Sequence, residues 1–359
     1  MNIENRQLMK RAYIVLLVFT AISISAFAQA GQYIYTFLEI PVSSHINALG
    51  GANVALRTND INFALENPAL LTSETDKQLA LNFTNYLADA SVGSVAFGKN
   101  WKENMFAAAV QYVDYGMFEA RSETNEVLGN FTAKDVALSL MYARQLEKYW
   151  QGGICIKPIF SAYESYTSFG IGVDVGISYA REDKGLYLGL ALQNIGTQLV
   201  SYNKELEYFP FNSMVSFSKK FKHAPIRVHV TAHHLHYWHL DYTNNVYATT
   251  LSGAKTYDTI SFVDMLFRHS ILAIDIIPTK NVYLTVGYNH RRAAELRLLG
   301  LKTIAGFSFG GGLKVYKFHL GFAASQYQKG IMTYQFSLNT NLDWVKKKHV
   351  KTEEDNSSN

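Results

Sequence analysis

Five histidines, His229, His233, His234, His236 and His239, fall within eleven residues of one another. Neutral imidazole is a common metal ligand, so the cluster is the first candidate for chemistry. The surrounding apolar–polar alternation predicts a strand over 226–236. On a strand, His229 and His233 share one face and His234 and His236 the other. An i, i+4 pair on a strand is about 13 Å apart at about 3.3 Å per residue. One metal ion cannot bridge that, and the sequence offers no obvious ligand from a neighbouring strand. The expectation is therefore no metal, with the histidines joining Tyr237 and Trp238 in an interfacial band. Catalysis has less support. The chain has no G-x-S-x-G elbow, no H-E-x-x-H helix, no P-loop and no dinucleotide fingerprint. Gly310-Gly311-Gly312 lacks the helix and Lys-Ser/Thr pair of a phosphate cradle. A rim hydrolase would need a Ser or Asp beside a His, and the inward-facing Asp174 has no evident partner. No enzyme activity and no cofactor are expected.

The elements around these residues are strands. Only 17% of the 359 residues are charged, against about 25% in ordinary globular chains, while 14% are aromatic. Mean hydropathy is close to zero. This composition excludes a disordered chain. The single Cys155 excludes a disulfide scaffold. A net charge of +4 argues against a nucleic-acid partner. Only one apolar run approaches the length of a membrane helix. It follows Arg6, Lys10 and Arg11 and ends in Ala26-Phe27-Ala28. It reads as a signal peptide over 1–28, with a membrane anchor as the alternative.

From residue 79 to 345 the chain alternates segment after segment. Phe169, Ile171, Val173, Val175, Ile177 and Tyr179 interleave with Gly170, Gly172, Asp174, Gly176, Ser178 and Ala180. Fourteen such segments are expected: 79–87, 92–100, 105–115, 134–146, 150–163, 169–181, 186–195, 211–220, 226–236, 268–277, 282–290, 306–315, 317–326 and 331–342. Most match the 9–11 residues of a tilted membrane-crossing strand better than the five or six of a soluble sandwich. Every second connection is short and all long ones fall between, as in outer-membrane barrels. Trp150, Tyr163, Tyr179, Trp238 and Trp344 sit near segment ends like an aromatic girdle. The fold class is all-β: a transmembrane antiparallel barrel of about fourteen strands. A propeller is excluded by the lack of a 40–50-residue repeat.

Fourteen strands enclose more space than barrel side chains fill. Residues 29–78 read as the plug. Gly50 and Gly51 permit tight backbone, Asp60 opens an apolar stretch, and Asn67-Pro68-Ala69 makes a turn. A flexible lead is the alternative, but Leu49, Val54, Phe63, Leu70 and Leu71 argue for burial. The long connections 116–133, 237–267 and 291–305 are the candidate partner surfaces. The first carries Glu119, Glu123 and Glu126, the second Tyr242, Tyr247 and Tyr257, and the third Arg291 and Arg292. Residues 346–359 read as a disordered charged tail.

The paired glycines, the acidic residue and Asn67-Pro68-Ala69 before the first strand resemble the hatch of the FadL-type barrel superfamily. That resemblance implies a fourteen-stranded outer-membrane barrel, a fold that often transports long-chain hydrophobic compounds. The chain is more closely similar to the PorQ family of the type IX secretion system. The similarity lies in Phe37–Ser44, Ala48–Gly51, Glu66–Leu71, Phe131–Asp135, Lys157–Ile159, Tyr166–Gly170, Gln193–Gly196, His223–Pro225 and His290–Arg292. It implies a non-enzymatic scaffold of Bacteroidota that holds a PorZ-like surface protein, alongside PorU-like and PorV-like subunits and lipopolysaccharide. The alternative is a FadL-like channel for hydrophobic compounds.

Overall fold

The computed structural model describes residues 33–240, 248–249, 255–256, 260–296, 304–328 and 330–342. The expected signal peptide, Trp344, the charged tail, Tyr242, Tyr247 and Tyr257 lie outside the described residues.

Fourteen antiparallel strands close into one barrel. In chain order they are β1 (Gln78–Asn85), β2 (Ser91–Trp101), β3 (Asn104–Arg121), β4 (Val127–Glu147), β5 (Trp150–Tyr163), β6 (Tyr166–Arg181), β7 (Leu186–Val200), β8 (Asn212–Lys220), β9 (Ile226–Ala232), β10 (Ser270–Thr279), β11 (Val282–Asn289), β12 (Phe307–Val315), β13 (Phe318–Gln328) and β14 (Ile331–Asn341). Each strand pairs with its sequence neighbours, and β1 closes on β14 from Gln78↔Asn341 to Asn85↔Tyr334. Closure leaves no edge in the barrel wall, which a strand protein crossing lipid requires. Among the described residues no helix is long and apolar enough to cross a membrane.

The alternation sets the faces. Along β6, Phe169, Ile171, Val175 and Ile177 point outward and are exposed, whereas Ser168, Asp174, Ser178 and Ala180 point inward and are buried. At the end carrying the strand termini of β1 and β14, every connection has five residues or fewer. The long connections all lie at the other end, here the long-loop end. They hold two short helices, α2 (Phe262–Arg268) and α3 (His290–Glu295), after α1 (Ser44–Ala48) near the N-terminus.

One expected loop and one expected strand differ from the structure. The 116–133 connection is a two-stranded ribbon that turns at 122–126. Beyond Asp114 on β3, and before Ala133 on β4, neither strand has a barrel neighbour. Register shifts beside Gly116 and Gly129, both at positive φ, break the alternation and so hide these strands in the sequence. A stacked Phe118–Phe131 pair, 5.3 Å between ring centroids, helps hold the ribbon. The strand expected over 226–236 stops at Ala232, and His234 at φ 54 turns the chain inward. The histidines beyond Ala232 therefore do not alternate between strand faces. The rings of His233 and His234 lie 4.9 Å apart, both buried.

Candidate functional site: the hatch and the cavity above it

Residues 33–77 occupy the lumen as short turns. Three of the helical turns, at Ser44–Ala48, Ile61–Leu65 and Pro68–Leu70, are fixed by a polar side chain at the start, because a one-turn helix cannot satisfy its own first N–H groups. Ser43 Oγ accepts from the Ile46 N–H that opens α1. Asp60 Oδ1 accepts from Asn62 N at 3.0 Å, Asn67 Oδ1 from Ala69 N at 3.0 Å, and Asn53 Oδ1 from Leu56 N at 2.9 Å. Ile46, Leu49, Leu56, Phe63 and Leu70 then collapse into one cluster against Ala273 of β10, each no more than 1% exposed. This places Gly50, Gly51, Asp60, Asn67, Pro68 and Ala69 together inside the barrel.

The small polar inner face of the wall is what receives the hatch. Ser216 Oγ accepts from Val54 N at 3.0 Å, Ser337 Oγ from Ser44 N at 2.8 Å and Gln78 Oε1 from Ile61 N at 2.8 Å. Gln193, Gln335 and Asn289 donate to the carbonyls of Glu66, Pro41 and Gly50 at 2.7, 2.9 and 3.1 Å. Gln151 donates to the Leu71 carbonyl. Irregular backbone buried this deeply must find its partners in the wall. Glycines allow the approach: a Cβ on Gly176 would fall 1.8 Å from Asn67 Oδ1, and one on Gly189 1.8 Å from the Val54 oxygen.

Two buried acids lie on the inner face, and one of them, Asp275, bonds the hatch directly. Asp275 of β10 contacts His45 of the hatch at 3.3 Å and His229 of β9 at 3.1 Å, and accepts from Thr285 Oγ1 at 2.6 Å. Arg227 Nε stands 3.5 Å away. Asp174, which the sequence left without a partner, pairs with Lys157 of β5 at 2.6 Å and accepts from Asn194 N at 2.8 Å. Neither ion pair was visible in the sequence, since each joins residues on different strands.

Ser218, His229 and Asp275 line up in the order of a hydrolase triad. Ser218 Oγ is 2.8 Å from His229 Nδ1, and His229 Nε2 is 3.1 Å from Asp275. Hydrolysis needs an exposed hydroxyl with space for a carbonyl and oxyanion donors beside it. Ser218 is fully buried, and Asn53 Nδ2 covers it from the hatch at 3.4 Å. The chain of three is a latch for the hatch, and it gives no site for acyl transfer. Among the described residues no group of three His, Cys, Asp or Glu is placed to hold a metal.

At the long-loop end a cavity of about 400 Å³ lies between hatch and wall. Its lining includes Glu39, Gly51 and Glu66 from the hatch, Gln193, Asn212 and Asn289 from the wall, and His233, His234, Arg291 and Arg292 from the rim. Burial and the Arg291 charge push the His234 ring well down, so it stays neutral. Its Nε2 lies 3.3 Å from Glu39 Oε1 and 3.0 Å from an Arg291 guanidinium nitrogen. Burial and His269 push His236 down to about 4. Burial pushes Glu66 up to about 8, with Lys157 opposing and Asp174 adding to the rise. Arg291 and Arg292, candidate partner-binding residues in the sequence, lie in the first turn of α3 and line this cavity. Arg291 is tied to Glu295 at 2.6 Å, and Arg292 lies over the Tyr327 ring at 4.5 Å. A second cavity of about 880 Å³, at the short-turn end, is lined by Arg57, Glu74, Glu103, Glu147 and neighbours. The two cavities share no lining residue, and none of the five apolar cluster residues lines either.

No family model and no curated relative matches the chain. Solved structures do. The Pseudomonas putida toluene transporter TodX is 11% identical, with a TM-score of 0.51, covering 84% of this chain and 96% of its own. CymD, a monoaromatic hydrocarbon channel, is 11% identical with a TM-score of 0.50, covering 84% and 96%. A Pseudomonas aeruginosa FadL homologue is 10% identical with a TM-score of 0.45, covering 84% and 98%. At these identities the likeness is one of fold: this chain has the closed fourteen-strand architecture of the hydrocarbon-channel barrels.

Proposed function

We propose that the protein is a non-enzymatic outer-membrane barrel, closed by its hatch, that acts by holding a surface partner. The observation that carries this reading is the filled lumen. Ile46, Leu49, Leu56, Phe63 and Leu70 are packed in the lumen with almost no exposed area, and the two end cavities share no lining residue. The wall satisfies the hatch backbone on all sides, so opening a path would break many buried hydrogen bonds together. The cavity at the long-loop end sets Arg291, Arg292, Glu39 and Glu66 among apolar Phe37, Ile40, Met214 and Ile271, so a hydrocarbon there would also have to desolvate charged groups. The free ribbon of β3 and β4 gives a partner something to grip. In the setting implied by the PorQ-like stretches, that partner is a PorZ-like protein of type IX secretion, with PorU-like and PorV-like subunits and lipopolysaccharide nearby.

A second reading is a channel for hydrophobic compounds, and the comparisons favour it over the first. TodX and CymD are described as carrying monoaromatic hydrocarbons, and they share this fold. Fold alone does not fix function. One local observation also favours it: an apolar depression of about 760 Å³ on the outer wall, over Gly311 between Leu284 and Leu320. One pair of measurements separates the readings. A deletion strain that loses surface anchoring of secreted cargo but takes up toluene normally supports the scaffold. Normal anchoring with lost toluene uptake supports the channel and overturns the scaffold.

A further inference from the structure

Helix α2 is the exception among the long connections. The 237–267 segment reads in sequence as a polar, Tyr-rich loop, yet α2 turns four large apolar side chains to the exterior. Phe262 is 70% exposed, Val263 58%, Leu266 49% and Phe267 47%. Their i, i+1, i+4, i+5 spacing places them on one side of the helix. The charged residues are tied elsewhere. Asp264 pairs with Arg268 at 2.8 Å and with His290 of α3 at 2.8 Å, while Met265 is buried against Leu240. Four exposed apolar side chains without an interspersed charge are costly in water.

That apolar side continues the barrel's outward band. Phe267 lies 5.8 Å from the His290 ring, His290 6.0 Å from Tyr288, Tyr288 4.7 Å from Phe307, and Phe307 6.1 Å from Phe309. Phe309 of β12 and Leu272 of β10, two positions beyond the start of that strand, are outward-facing and exposed. Trp238 stacks on Phe262 at 5.2 Å, and on His269 at 5.3 Å. Indole and imidazole at the end of an apolar band are the composition of a membrane–water boundary. The ribbon of β3 and β4 also exposes apolar side chains, Met117, Phe118, Val127 and Leu128, but there Glu119, Arg121 and Glu126 are interspersed among them.

We propose that α2 lies in the outer leaflet as an interfacial helix, with Phe262, Val263, Leu266 and Phe267 seated among acyl chains and Trp238 at the headgroup level. The occupant of this surface is lipid. The 237–267 connection is then pinned to the membrane at its C-terminal end, and any partner contact must come from elsewhere on it. The proposal rests on the barrel spanning a membrane, and the test separates the two.

The full chain is refolded into vesicles of brominated phosphatidylcholine, with Trp101, Trp150, Trp238 and Trp344 changed to Phe. One tryptophan is then placed by Phe262→Trp, by Ile274→Trp in the outward band of β10, or by Met117→Trp on the ribbon. The expected result is that Phe262→Trp and Ile274→Trp are both strongly quenched by the bromines and shielded from aqueous acrylamide. Met117→Trp should behave the opposite way. Should Phe262→Trp fail to fold, a protein keeping Trp238 alone, whose ring stacks on Phe262, reports the boundary beside it by partial quenching. Quenching at Ile274 with none at Phe262 or Trp238 overturns the proposal, whatever else covers the helix. Absence of quenching at Ile274 overturns the membrane placement, and the proposal with it.

Discussion

His45 and Asp275 are 230 positions apart in the chain and 3.3 Å apart in the fold, imidazole Nε2 to carboxylate Oδ1. The contact joins hatch to wall, and His229, Thr285 and Arg227 complete the ring around the same carboxylate. Removing one side of a buried charged network leaves the other side unpaired, at a cost of about 3–5 kcal/mol. Asp275→Ala is therefore expected to lower barrel stability by that order, while Asp275→Asn, which keeps acceptor capacity, loses less. Heat-dependent migration of the folded barrel on gels, followed against urea, checks both. A barrel with unchanged stability in Asp275→Ala would mean that the network is not a latch.

The glycines beneath the hatch give a second test. Gly176→Val and Gly189→Val each place a branched side chain where Asn67 Oδ1 or the Val54 carbonyl now sits. The barrel is expected to fold with its hatch displaced, so planar bilayers that are silent with the wild type should conduct. Gly93 faces open space and Gly93→Val should stay silent.

Glu66 gives the hatch a dependence on pH. Its carboxyl is raised from the usual 4.5 to about 8, so the fold favours the protonated form. Stability from this group is fully present below about pH 4.5 and is lost as pH rises through about 8. Hatch retention, read as bilayer silence, should weaken across that window and level off above it. Glu66→Gln should flatten the profile, and a variant with the wild-type slope would assign the effect to another group.

The ribbon bears on the partner. Replacing residues 118–131 with an Asn-Gly turn removes only segments that pair with each other. Barrel stability should change by less than about 1 kcal/mol, since no wall strand loses a neighbour. If the protein holds a surface partner as proposed, a mild-detergent pull-down of the tagged ribbonless protein should no longer retain it. Full retention of the partner on the ribbonless barrel would move the docking surface to the other loops.

Much of the architecture was legible from residue order. Alternation of period two gave fourteen strands in the right sequence, and the alternation of long and short connections gave the two ends. Both are local signals: each strand carries its own pattern, and each turn its own length. The signal failed where the geometry is irregular. The bulges beside Gly116 and Gly129 concealed the ribbon, and the left-handed His234 ended β9 four residues before the expected boundary.

What only the tertiary structure decided is who meets whom. Lys157 and Asp174 are on neighbouring strands, and their pairing depends on a register that no single segment encodes. The sequence marks Gly176, Ser216 and Gln193 merely as small or polar inward positions. The fold makes them a seat for Asn67, Val54 and Glu66, because buried hatch backbone has no water and must be satisfied by the wall. The histidine cluster went the same way, divided between a latch inside the barrel and a neutral group at its rim. A closed sheet brings distant strands around one lumen, and the chemistry of a lumen belongs to the set of residues facing it.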